Sequence, residues 1–440
     1  MAAIGSDDYA LSRVPRSARY GFGPVLMQWV GNSGSLSQFV LGATIGMGLG
    51  FWQAALAFTL GAVLLEIAIF FVGWAGQREG LATVMLTRFT GFGSKGSALV
   101  SLVISISLIG WFGVQNGIFG NSMQAMVGGP VWLWCIASGV VLTALVLYGF
   151  KGMLWVSRIA VPLFFGLIGY TVISSLSKYS LTELVSIPPP GPAMTVSSAA
   201  TIIAGGFMTG AIIAPDVTRF NSKGWHVAVQ SGTSLVISEY LVGLTGVVLG
   251  HLVGTSDVTG IVLGTSGVGG LIIVVLATLK INDNNLYSGS LGITNFIETV
   301  FGKRVHRGLI TVIFGILGTA LSAIGFLDHF KEFLSLLGVA IPPVGGIIVA
   351  EYYIVRRMTR GLDETREAET LPPSPVGWVP GTLAVWAIAF GVGWLTQRTE
   401  LGIPVINSLL TGLILYVIAA KVGLIRVSAS GETAKAEVRA

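Results

Sequence analysis

Long apolar stretches recur along this chain, separated by short segments that carry most of its charge. A bilayer-crossing helix needs about 20 mostly apolar residues. Stretches of that kind number twelve, near 24–49, 51–75, 97–127, 131–149, 155–176, 197–214, 227–251, 263–290, 308–327, 332–355, 377–396 and 402–424. The eighth and tenth are the least regular. Arg13, Arg16 and Arg19 precede a first span too long to be the apolar region of a signal peptide. The pattern predicts an all-α polytopic membrane protein with twelve transmembrane helices.

Lys and Arg accumulate in cytoplasmic segments of membrane proteins. With the N-terminus placed in the cytoplasm, only Lys178, Lys331 and Arg398 fall in outside segments. Lys280 lies within a span, and every other Lys and Arg falls inside. Both termini are therefore expected in the cytoplasm of a multi-pass protein of the inner (plasma) membrane.

Composition narrows the class. Charged residues make up 10% of the chain, against about 25% in soluble proteins, and mean hydropathy is +0.81. A soluble domain is excluded. The 61 glycines suit membrane helices that approach closely. One cysteine, Cys135, excludes a disulfide framework, and no Cys/His spacing resembles a metal site. Basic residues flank the spans rather than forming one face, so nucleic acid is not an expected partner. The sequence holds no P-loop, H-E-x-x-H or G-x-S-x-G, and an enzyme is not expected.

Two spans are interrupted by small polar residues. The first contains Gly31-Asn32-Ser33-Gly34-Ser35 and the sixth Gly205-Gly206-Phe207-Met208-Thr209-Gly210. Either run alone fits simple helix packing through small residues. Their placement five spans apart points instead to a transporter built as an inverted repeat, with substrate held at unwound mid-membrane backbone. The expected organisation is a tail (1–23), repeat one (24–176), repeat two (197–355), two added helices (377–424) and a second tail (425–440).

Ionisable groups at membrane depth are costly and usually functional. Glu66 on span 2, Glu239 on span 7, and Lys280 and Asp283 on span 8 make up this set. Asp216 beside Arg219 at the end of span 6 fits an interfacial structural pair. Span 8 concentrates amides in Lys280-Ile281-Asn282-Asp283-Asn284-Asn285-Leu286-Tyr287, which can read both donor and acceptor edges of a heterocycle. A capped helix end is the simpler alternative. On span 3, Trp111 and Gln115 are four residues apart and share a helical face, an indole platform with an amide one turn away.

Gly110-Trp111-Phe112-Gly113-Val114, Asn282-Asp283-Asn284 with Leu286-Tyr287, and Ile341-Pro342-Pro343-Val344-Gly345-Gly346 resemble the bacterial cytosine permeases of the nucleobase–cation symporter-1 (purine–cytosine permease) family. The resemblance implies a LeuT-type fold with a 5+5 inverted repeat and broken helices 1 and 6. It implies a base stacked between Trp111 and Phe207. Gly206, Thr209 and Gly210 would then supply polar contacts from span 6, with Asn282, Asn284 and Gln115 from spans 8 and 3, and Ser33 and Gly34 at the first break. It implies no cofactor, a small-molecule nucleobase as ligand, the lipid bilayer as surroundings and function as a monomer.

Some positions depart from the family pattern. Leu108 stands where similar permeases have a glutamine, Gly206 where they have a serine, and Lys280-Ile281 where sodium-dependent relatives have two hydroxyl side chains. Isoleucine cannot ligate a cation, and an ammonium group repels one. The departure points to H+ rather than Na+ as coupling ion, with Lys280 in sodium's place and Asp283, Glu239 and Glu66 as coupling candidates. The alternatives are sodium-coupled uptake of a hydantoin or allantoin, and a channel-like facilitator.

Overall fold

The computed structural model describes residues 12–33, 36–148, 177–303, 305–373 and 377–425, with Tyr9 and four pairs of residues between 162 and 174. Helices stand at every expected span except the fifth, 155–176, most of which lies outside the described residues, as do most of the C-terminal tail and the start of the N-terminal one. We label them α1 (Phe22–Ser33), α2 (Leu36–Gly48), α3 (Phe51–Glu79), α4 (Gly93–Val127) and α5 (Val131–Tyr148). There follow α6 (Val196–Ile212), α7 (Trp225–Val253), α8 (Val258–Phe301), α9 (Arg307–Ala323), α10 (Phe326–Val355), α11 (Pro380–Arg398) and α12 (Pro404–Lys421). Among the described residues seven helical stretches are long and apolar enough to cross a membrane, and the chain is a multi-pass membrane protein.

Of the first expected span Phe22–Ser33 and Leu36–Gly48 are helical, and the centre of the expected interruption, residues 34–35, lies outside the described residues. The sixth differs from expectation. The Gly205–Gly210 run is helical throughout α6, and the helix ends only at Ile213, before Pro215 opens a short turn at Pro215–Thr218. Close packing explains the glycine at 205: a Cβ there would stand 2.0 Å from the Leu334 carbonyl oxygen of α10. Pro215, which lacks an N–H, marks the discontinuity instead. Through Lys280–Tyr287 α8 is likewise continuous, so the amide run is not a helix end; the bend comes at Gly267, with φ +64°.

Helix contacts repeat under a shift of five spans. The α2 half of span 1 packs on the last turns of α7 as α6 packs on α3. The α9–α4 contact has its counterpart in α8–α5, while α4–α8 and α5–α9 map onto themselves. The α2–α7 approach is as close as backbones allow: a Cβ at Gly42 would lie 1.9 Å from the Gly243 carbonyl oxygen. Two π-helical segments, Val236–Gly243 in α7 and Ala350–Val355 in α10, each carry a buried glutamate, Glu239 and Glu351. Single π-turns inside helices recur at functional sites.

The N-terminal segment is strapped across one end of the bundle. Buried Arg13 donates to a carboxylate oxygen of Glu79 (2.7 Å), the Leu362 carbonyl (2.9 Å) and the Thr370 carbonyl (2.8 Å). Arg366 (2.5 Å) and the Tyr352 hydroxyl (2.5 Å) also donate to Glu79. Asp363 accepts from Arg356 and Arg366. Partial burial pushes the Asp363 carboxyl up, but the hydrogen bonds from Arg366 and Arg356 outweigh it and hold the group below its ordinary value. Asp216 accepts from the Thr83 amide (2.8 Å), and Arg219 reaches the Tyr9 carbonyl (2.8 Å), structural roles at the same end.

Candidate substrate site

Mid-depth, α4 and α6 are joined by a hydroxyl pair, Ser107 to Thr209 at 3.0 Å. Trp111 follows Ser107 by one helical turn, and Phe207 precedes Thr209 by two residues. From Ala199 to Ile212 every residue of α6 is buried except Phe207 and Gly210, which are half-buried. Being three apart, they share one face. A Cβ added at Gly210 would meet nothing within 4 Å, whereas one at Gly206 would meet Leu41 at 3.3 Å. Trp111 is likewise the one half-buried residue between Gly110 and Ile118 on α4. Each helix therefore turns a single aromatic toward incompletely filled space.

The two aromatics are anchored unequally. The Trp111 indole makes edge-to-face contacts with Phe333 (5.6 Å, 74°) and Phe330 (6.0 Å, 75°) of α10, contacts worth about 0.5–1.5 kcal/mol each beyond area burial. No ring contact joins Phe207 to Trp111 among the described residues, although both pack on the same apolar cluster. An aromatic ligand between them would find one fixed wall and one adjustable wall.

The amides divide sharply. Gln115 is fully buried, and among the described residues neither its Oε1 nor its Nε2 has a hydrogen-bond partner. Its neighbour Asn116 is saturated. It donates to the Cys135 carbonyl (2.9 Å) and the Ser322 hydroxyl (2.7 Å), and accepts from Ser138. Asn282 donates to the Phe112 carbonyl (3.1 Å) and accepts from Asn285 (3.2 Å), fastening α8 to α4 beside Trp111. Asp283 is buried on the same helix. Lys280 and Asn284 lie on α8, but their side chains fall outside the described residues, as do that of Ser33 and the whole of Gly34.

The two carboxylates lie on different helices, Glu66 on α3 and Glu239 on α7, and each is bonded across a helix contact. Glu66 accepts from Ser231 (2.9 Å), and Glu239 accepts from Gln38 of α2 (2.5 Å). Sequence reasoning missed Gln38. A buried amide three residues beyond the first interruption was the available signal, but its partner is 201 residues away.

A membrane bundle whose helix contacts repeat after five spans, with half-buried aromatics and buried amides at mid-depth, has the design of a solute transporter. Residues 21–390 match the family described as permease for cytosine/purines, uracil, thiamine, allantoin, and the chain belongs to that family. It is a transporter, not an enzyme. The cytosine permease of Escherichia coli (strain K12) is 29% identical over 420 residues, 94% of each chain. The hydantoin permease of Microbacterium maritypicum is 23% identical over 395 residues, 83% of this chain and 78% of that protein. Among solved structures, the inward-facing conformation of Mhp1 matches with a TM-score of 0.79 at 22% identity, covering 96% of this chain and 95% of that one. Mhp1, a nucleobase-cation-symport-1 family transporter, in a closed conformation with bromovinylhydantoin bound gives 0.76 at 21% identity, covering 95% and 96%. The fold is that of Mhp1.

Proposed function

We propose that this protein imports a nucleobase, cytosine or a related purine or pyrimidine, by alternating access. The observation that carries the reading is Gln115: a fully buried amide with neither end bonded, one turn from Trp111. An unpaired buried polar group costs about 1–3 kcal/mol, a cost that a base presenting a complementary donor–acceptor edge would remove. Stacking between Trp111 and Phe207 would add about 1–3 kcal/mol per base. Gly206, Thr209, Gly210, Asn282, Asn284, Ser33 and Gly34 complete the proposed site.

The architecture proposed with it has twelve spans, five (24–176) repeated in inverted orientation (197–355), and two added (377–424). It lies in the inner membrane with both termini cytoplasmic and works as a monomer. The five-span repetition of helix contacts supports the repeat. The discontinuity proposed for span 1 is at residues 31–35, and the helix stop at Ile213–Pro215 supports one in span 6. Coupling is to protons rather than sodium, with Lys280 in the position of the ion and Asp283 beside it.

Uptake of a panel of labelled bases into proteoliposomes, under an imposed proton or sodium gradient, tests this. Saturable accumulation of a base driven by the proton gradient is expected. Accumulation of a hydantoin alone, sodium drive, or mere equilibration of all solutes would overturn the substrate, the coupling or the transport mode respectively.

A further inference from the structure

Gln38 and Glu239 form a closed polar pair between the two halves of the bundle. Gln38 lies near the start of α2, and Glu239 on the π-helical segment of α7. Relative exposures are 1% and 0%. One bond joins them, from Gln38 Nε2 to Glu239 Oε2 at 2.5 Å. The remaining oxygen of each, Gln38 Oε1 and Glu239 Oε1, has no partner among the described residues. Both leftover atoms are acceptors, and neither receives a hydrogen bond among the described residues. A carboxylic acid has one O–H donor that a carboxylate lacks. One proton on Glu239 Oε1 would supply that donor beside Gln38 Oε1, turning a half-satisfied pair into a reciprocal acid–amide pair.

Among the described residues no other ionisable group bonds to the pair. Of the segments packed on Val236–Gly243, α1 and α2 have no ionisable residue. On α3 stand Glu66, bonded to Ser231, and Arg78 and Glu79 at the far tip. The rest of α7 adds Tyr240, whose hydroxyl meets Thr59, and His226 and His251 at opposite ends, the latter held on the Gly46 and Leu49 carbonyls. Among the described residues Gln38 is the one hydrogen-bond partner of Glu239.

A polar row leads to the pair. Gln230, Ser234 and Ser238 recur every four residues on α7 and are buried, with Ser231 beside them bonded to Glu66. Ser231 and Glu239 are eight residues apart, roughly 12 Å along a helix. The row starts at the end strapped by Arg13, where Gln230 bonds Asn221 and the Phe22 carbonyl.

We propose that Glu239 is the proton-binding site of the transporter, read out by Gln38. A proton from water on one side binds the carboxylate at Oε1, and no other bond is made or broken. Protonation completes the contact between α2 of span 1 and α7 of span 7; loss of the proton to the opposite side leaves one bond and loosens it. The proposal rests on the transporter reading above and names the group that titrates.

Infrared difference spectroscopy over a pH titration, on full-length protein in lipid, needs no substrate. A protonated-carboxyl band is expected in the wild type, lost in Glu239→Gln and retained in Glu66→Gln. In proteoliposomes Glu239→Gln should lose accumulation driven by a proton gradient, so that base uptake only equilibrates. Glu239→Asp keeps a titratable group and should accumulate base with a displaced pH profile. A band that persists in Glu239→Gln, or undiminished accumulation by that variant, overturns the proposal. So does wild-type accumulation that follows sodium and ignores pH, which would make the two free oxygens cation ligands. If the wild type takes up no base while the band still vanishes in Glu239→Gln, the proton site stands and the nucleobase reading falls.

Discussion

Replacing Gln115 by methionine separates a ligand-reading amide from a structural one. Methionine keeps the length of the side chain and removes both polar atoms, neither of which has a partner among the described residues. Replacing an unsatisfied buried polar group by an apolar group of the same shape is neutral or stabilising. Polar contacts in membrane interiors average below 1 kcal/mol, because the unfolded reference also finds partners. The gain expected without ligand is therefore about 1 kcal/mol or less, a rise of about 1–2 °C in Tm for a chain of this size. With ligand the sign reverses. At a base concentration 100 times Kd, binding stabilises the wild type by about 2.7 kcal/mol. Loss of paired donors and acceptors weakens binding by about ten- to a hundredfold. The same concentration then contributes only about 1.4 to 0.4 kcal/mol. The assay is a thermal-shift titration of purified wild type and Gln115→Met, with and without base. A variant that is less stable without ligand, yet keeps the full ligand-induced shift, would show that Gln115 is held by the protein and refute the assignment.

Trp111→Ala removes the fixed wall of the site and should weaken base binding by about five- to a hundredfold, from the 1–3 kcal/mol of a stacked base; equilibrium binding on monodisperse protein checks it, with Trp111→Phe expected to retain most affinity. At the strapped end, Asp363 is held below its ordinary value by Arg366 and Arg356 against the opposing effect of burial. A depressed carboxyl stabilises the fold above its unfolded pKa, and that contribution disappears as pH falls through the lowered folded value. Asp363→Asn should therefore lower Tm at neutral pH, by at most about 1 kcal/mol for so exposed a pair, and the two Tm curves should converge in acid. A gap independent of pH would mean that the substitution acts through packing.

Trp111 and Phe207 show what one sequence can reveal about a site. Each is an aromatic in an otherwise close-packed helical segment, and one-dimensional spacing sufficed to find Trp111–Gln115. The neighbouring amides show the opposite. Gln115 and Asn116 are adjacent and chemically alike, yet one is bare and the other saturated by three groups on α5 and α9. Nothing local distinguishes them, because the difference lies in partners supplied from elsewhere in the chain.

The sequence by itself determined that this is a bundle of membrane helices, where most spans begin and end, and which residues at membrane depth are chemically unusual. Those properties follow from bilayer thickness and the cost of burying charge, which act on short stretches of chain. Only the tertiary structure decided that Gly205–Gly210 stays helical, that the stop falls at Pro215, and that Glu239 meets Gln38 rather than the amides of α8. Each outcome depends on the backbone or side chain of a distant helix: Leu334 against Gly205, Gly243 against Gly42, Gln38 against Glu239. A glycine run permits either an unwound segment or a close contact, and the neighbour that approaches selects between them.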